Sequence, residues 1–284
     1  MIRQIQHSTV VFVLFDERYK QVGQHLEMTL LKLIKALKLD FTNGILCPLS
    51  GNNIGVDFEI NPEDFLQFAK SDYREGTQKG LVNSLTNCKR AIDCGIDKIL
   101  KTYGFDPSAL QTNIGIELIN KFTRERSNLP YKLRLIEALG ITTGKILSDI
   151  RITRHKLEHY YKYPTENEVI DAIDLTKMFI NLIQAKFYIF EDSYVITDQK
   201  NVIGELRFNN QLKIDFYPMK FMFEIGSNLN NDKITYSLPD LEYLILIRLT
   251  NSIQDNYDLE DTFKYLLEII NHPLPTKNIK IKRD

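Results

Sequence analysis

Pro164 divides the middle of this sequence into two helices and fixes where one stops and the next begins. A proline ring locks φ, removes a backbone donor and pushes the preceding residue out of the α region, so a helix arriving from the N-terminal side ends there. Thr165 and Glu168 follow with the spacing of a capping box, in which the threonine hydroxyl takes the third amide and the glutamate reaches back to the cap. The stretch 148–168, SDIRITRHKLEHYYKYPTENE, therefore reads as helix, tight turn, helix. Its corner gathers Arg151, Arg154, Lys156 and Lys162 against Glu158, a local charge of +3, together with His155, His159, Tyr160, Tyr161 and Tyr163. Cations near a helix C-terminus gain about 0.3–1 kcal/mol each from the macrodipole. That accounts for the lysines as a solvated face, and less well for two histidines and three tyrosines.

Helical periodicity surrounds this corner. Residues 77–103 place Leu81, Leu85, Ala91 or Ile92, Ile96 and Ile99 or Leu100 on one stripe, with Gly104 as the stop. Residues 166–188 do the same through Val169, Ile173, Phe179 and Ile183. Asn61-Pro62-Glu63-Asp64 opens another helix with a cap, a proline at the first position and acids in the first turn. Shorter helices are expected over 108–125 and from Pro130 to Leu139, ended by Gly140, and a further one over about 144–161. Toward the N-terminus, 8–15 reads as a buried strand or the opening of the next helix, 16–39 as a long amphipathic helix, and 40–60 as loop or short irregular strands.

Composition shifts near residue 190 to β-rich runs over 194–197, 202–208, 212–217 and 221–225, a small antiparallel meander. Helices are expected from Pro239-Asp240 to Ile253 and over 258–270, before a basic, solvated tail at Lys277, Lys280, Lys282 and Arg283. The expectation is an α+β, mostly helical chain in three parts. These are an N-terminal strand and helix segment (1–61), an up-and-down helical bundle (62–190), and a meander with added helices (191–284).

The 284 residues carry a net charge of −1, so no global field draws the chain to nucleic acid or membrane, and any such binding rests on a local patch. Cys47, Cys88 and Cys94 are too few and too irregular for a disulfide framework or a zinc knuckle. The apolar run 10–15 meets Asp16 and Glu17 with no cleavage site, and no window is long enough to span a membrane. A cytoplasmic protein with reduced thiols, and no membrane partner, is the expectation.

Two chemistries fit the corner. At 100° per residue, Arg154 and Tyr161 share a face, while His155 and His159 share another. An imidazole that moves a proton, beside a guanidinium that balances charge on pentavalent phosphorus, suits phosphodiester cleavage. The same residues spell His155-x-x-Glu158-His159, a zinc-hydrolase pattern in which two histidines at i, i+4 ligate one metal, with Glu224 or Glu242 nominated as third ligand. Against zinc, the helix ends within a few residues and the small residues usual before that pattern are absent.

Arg154-x4-His159-x-Tyr161 resembles the R-x4-6-H motif of HEPN domains, which are small helical dimeric modules, many of them metal-independent endoribonucleases in toxin–antitoxin and phage-defence systems. The proline, the acidic helix start and Ala172-Ile173-Asp174 add to the resemblance, as do Gly80-Leu81-Val82-Asn83 and Asn87 to Asp93 upstream, so that it covers about 75–190. The resemblance implies catalysis by Arg154, His159 and Tyr161, support from His155, Asn83, Asn87 and Asp93, and no metal or cofactor. It implies an RNA substrate, a homodimer and an antitoxin or nucleotidyltransferase partner. It equally admits a catalytically silent interaction or regulatory module. A solvated polar face with intrahelical pairing gives Asn83, Asn87, Arg90 and Asp93 the same spacing.

Overall fold

The computed structural model describes residues 28–123, 129–142, 163–253 and 256–284. The elements expected over 8–15, over most of 16–39 and over 144–161 lie outside these residues.

The first described helix, α1 (Leu30–Leu37), is capped by the Thr29 hydroxyl, which accepts from Lys32 N at 3.3 Å, and it buries Leu30, Leu33, Ile34 and Leu37. The segment read as loop or short irregular strands over 40–60 then contains a nine-residue strand, β1 (Gly44–Asn52). Its residues 44–47 are all buried, so it lacks the alternation that marks a half-exposed strand, and Pro48 and Gly51 look like turn punctuation. Helix α2 (Pro62–Arg74) starts at the expected Asn61 cap, with Asn61 N donating to Asp64 Oδ2 at 2.8 Å. Helix α3 (Gln78–Thr102) starts with Gly80 N donating to the Thr77 hydroxyl at 2.9 Å. The helix expected over 108–125 shrinks to α4 (Ile116–Phe122), because 108–115 is spent on turns. Helix α5 (Tyr131–Ala138) ends as anticipated at Gly140, whose φ of +76° is the left-handed value a helix stop requires. Helix α6 (Glu166–Tyr188) follows the Thr165 cap.

The second half supplies β2 (Phe190–Asp198), a two-stranded ribbon of β3 (Val202–Gly204) and β4 (Arg207–Phe208), then β5 (Leu212–Tyr217), β6 (Met222–Ser227) and β7 (Lys233–Ser237). Two helices, α7 (Leu241–Ser252) and α8 (Asn256–Ile269), precede a last strand, β8 (Ile281–Arg283). The sheet order is β7-β6-β5-β2-β1-β8. The antiparallel meander is therefore the larger part of a six-stranded mixed sheet, since β8 runs parallel to β1. The tail read as solvated is the edge strand: Gly44 sits opposite Ile281, and Arg283 reaches Glu191 at 3.2 Å.

The chain is α+β, and its sheet draws on both flanks of the helical middle. Strands β1 and β2 are antiparallel neighbours, so everything from α2 to α6 is inserted between two adjacent strands. One core cluster joins the inner face of the sheet to α1, α4, α5, α7, α8 and the C-terminal ends of α3 and α6. Helix α7 is buried on every side from Tyr243 to Ser252, as a central helix must be. Polar groups tie it to the helical layer. Tyr103 OH donates to Asn251 Oδ1 (3.0 Å), Tyr243 OH to Tyr103 O (3.0 Å), Asn251 Nδ2 to Leu139 O (2.9 Å) and Lys186 Nζ to Asn251 O (2.6 Å).

Candidate functional site

The helices α2, α3 and α6 form a layer that projects from the sheet, and its far end carries the residues of interest. Two small clusters hold it together: Ala69, Leu85, Cys88, Val169 and Ala172 toward the distal end, then Leu66, Ala91 and Ile180. Leu85 meets the start of α6, whereas Tyr103 meets Phe187 at its end, so α3 and α6 run parallel. Helix α2 returns against both. The approach of α2 and α3 is close enough that a Cβ on Gly80 would sit 2.4 Å from Asp72 O, which is why a glycine stands there.

The turn before α6 is built as the sequence dictates. Thr165 N donates to Glu168 Oε2 (2.9 Å), and Glu168 N donates back to the Thr165 hydroxyl (3.3 Å). Tyr163, immediately before Pro164, is 68% exposed. Arg154, His155, His159 and Tyr161 lie outside the described residues. In the sequence the motif ends at Tyr161, two residues before Tyr163.

The supporting residues divide. Asn87 Nδ2 donates to Asp72 Oδ2 on α2 at 2.8 Å, and Arg90 Nη1 lies 3.5 Å from Asn87 Oδ1. Asn83 stands one turn earlier on the same half-buried stripe. Asp93 is six residues beyond Asn87, hence about 120° around the helix. It lines a different cleft of about 630 Å³ between α3 and the segments 107–112 and 130–133. There Lys132 Nζ bonds Asp97 Oδ1 at 2.8 Å, and Tyr131 OH donates to Ile114 O. Asn83 and Asn87 thus belong with the distal end, and Asp93 with the side facing α5.

A groove of about 300 Å³ opens at the distal end between Lys70, Tyr73 and Arg74 of α2 and Ile170, Ile173 and Asp174 of α6. A cleft of about 700 Å³ sits at the opposite end of the layer, where 53–57 and Glu63 face Ile183–Tyr188. Lys98 is held in its wall by Asp57 and Asn61, both at 3.1 Å. Sequence reasoning passed over Asp72 and Lys98, because their partners come from other elements and no local spacing announces them.

The three cysteine thiols are all shifted toward the protonated form. Burial pushes the Cys88 thiol up to about 11 despite the Thr176 hydroxyl, and burial with Asp97 nearby holds Cys94 at about 11. Burial, with Asp284 adding to it, raises Cys47 as well. Each shift disfavours the thiolate, the nucleophilic form. Of the nominated zinc ligands, Glu224 is taken by Lys233 at 2.7 Å on β6 and Glu242 lies in the first turn of α7. Among the described residues no group of three His, Cys, Asp or Glu side chains is placed to hold a metal ion, and no helix is long and apolar enough to cross a membrane.

Comparison of the chain with family models, with curated proteins and with solved structures gives no match.

Proposed function

We propose that this chain is a metal-independent endoribonuclease of the HEPN type, with its site at the distal corner of the helical layer. One observation carries the reading: the sequence Arg154-x4-His159-x-Tyr161 runs directly into the capped turn at Thr165, and the helix α3 beside that turn holds Asn87 by way of Asp72. In this reading His159 takes the proton of a ribose 2′-OH, or gives one to the leaving 5′-oxygen. Arg154 balances the charge of the phosphorane, and Tyr161 and Asn87 position the ribose-phosphate. The 2′-oxygen bonds to phosphorus as the P–O5′ bond breaks, leaving a 2′,3′-cyclic phosphate and a 5′-hydroxyl. One corner provides one acid/base group of the right kind, so two copies face each other across a two-fold axis.

The test is cleavage of total RNA by the full chain in the presence of a chelator. Activity is expected to persist, and His159→Ala or Arg154→Ala is expected to lower it by about 10²–10⁴-fold, the usual loss for a positioned acid/base group. His155→Asn should retain most of it, with circular dichroism unchanged in all three. Equal loss from both histidine variants, together with bound stoichiometric zinc, would transfer the argument to the zinc pattern. RNA left intact by the wild-type chain would leave a binding module.

A further inference from the structure

A chain with a net charge of −1 can hold a polyanion only through a local patch, and the distal groove is such a patch. Lys70 and Arg74 stand four residues apart on α2 with Tyr73 three after Lys70, a spacing that gathers all three on one side of the helix. Ile170, Ile173 and Asp174 share one side of α6 by the same rule and form the facing wall. Among the described residues Lys70, Arg74 and Asp174 make no ion pair, although they line one groove of about 300 Å³. Tyr73 is anchored, because it packs against the cluster of Leu85 and Val169 while also lining the groove. Ile170 is 39% exposed opposite it. The groove thus offers two cations, an aromatic ring, an apolar wall and one carboxylate.

We propose that this groove is a subsite for one unpaired nucleotide of single-stranded RNA, with guanine the preferred base. Its base stacks on Tyr73 and is backed by Ile170, while Lys70 and Arg74 take the phosphates on either side. Asp174 selects the base. A carboxylate only accepts hydrogen bonds, and the Watson–Crick edge of guanine presents two adjacent donors, N1–H and the N2 amino group. Uracil presents one donor between two carbonyls, and adenine and cytosine each set an amino group beside a ring acceptor. The inference rests on the ribonuclease reading for the nature of the polymer. Ile170 stands five residues past Thr165, about 7.5 Å along α6, so the nucleotide held here flanks the corner at which that reading cuts.

The test uses 2′-O-methyl octamers, whose blocked hydroxyls prevent cleavage, so that binding is measured apart from catalysis. The full chain should bind an alternating guanosine–uridine octamer more tightly than a uridine octamer, and inosine in place of guanosine should lose most of that preference. Tyr73→Ala should weaken binding about tenfold, and Tyr73→Phe should retain it. Lys70→Ala and Arg74→Ala should each reduce the salt slope by about 0.7. Asp174 is exposed, so Asp174→Asn leaves the fold intact; it should abolish the guanine preference while uridine binding persists. A preference that survives Asp174→Asn, or no octamer binding by the unaltered chain, would overturn the proposal. Displacement of the octamer by polyglutamate, with the same sensitivity to these variants, would assign the groove to an acidic peptide and overturn it equally. RNA cleavage by the chain with binding unchanged in every variant would overturn the subsite and keep the ribonuclease reading. Octamer binding that follows the variants as expected, in a chain that cuts no RNA, would keep the subsite and dismiss that reading.

Discussion

Arg248 shows how much a single buried residue can organise. Its Nε donates to the Thr262 hydroxyl (3.1 Å), and its Nη1 donates to the carbonyls of Glu137 (3.2 Å) and Ala138 (2.9 Å), two of the last acceptors of α5. Its guanidinium stacks 3.9 Å over the Phe122 ring, and Asp258 lies 3.5 Å from Nη2. One side chain therefore joins α4, α5, α7 and α8. Only a planar fork with five donors satisfies these partners together. Arg248→Ala is expected to destabilise the fold by about 2–4 kcal/mol, through orphaned carbonyls and a lost stack. Arg248→Lys should recover little of it. Urea denaturation checks both, and a loss below about 1 kcal/mol would contradict this account. In the sequence this arginine is one charge inside an apolar helix, and nothing nearby reveals these partners.

At the scale of elements, the legible parts were those with a period and a cap. Helices α2, α3, α6 and α7 appear close to where their stripes and caps place them, because amphipathic periodicity and capping are both local. The capping box before α6 is the strongest local signal in the chain. Thr165→Ala should cost about 1 kcal/mol, seen as a fall in Tm of about 2–4 °C. Thr165→Ser should restore most of it, and an unchanged Tm in the alanine variant would show that the turn is fixed by other contacts. Strands β1 and β8 escaped notice for a physical reason. The first is buried over 44–47 without alternation and punctuated by Pro48 and Gly51, and the second is three residues long and reads as charge.

For the whole molecule, the closing event is the docking of the C-terminal strand beside β1. His272 lies at the joint. Its ring packs against Phe41 at 5.6 Å between centroids, and its Nδ1 accepts from Leu274 N at 3.2 Å, which requires that nitrogen to be unprotonated. Burial first, and the neighbouring Lys35 second, lower its pKa from the usual 6.5. The fold therefore favours the neutral ring. This contribution is complete above about 6.5 and is lost as pH falls through the lower folded value. The denaturation midpoint should drop between pH 7.5 and pH 5, and the drop should shrink in His272→Gln. An identical pH dependence in that variant would remove His272 from the explanation.

The sequence by itself determined helices α2, α3, α6 and α7 and the turn after Pro164, because each of these depends on neighbours within a few positions. It also placed Asn83 and Asn87 on one stripe. Tertiary structure alone decided that Asp72 would hold Asn87, that Asp93 would turn toward α5, and that the helical layer would be inserted between β1 and β2. Those outcomes depend on pairing partners 15 to 140 residues apart. Such pairings are selected by the burial of a shared core, which no local pattern encodes.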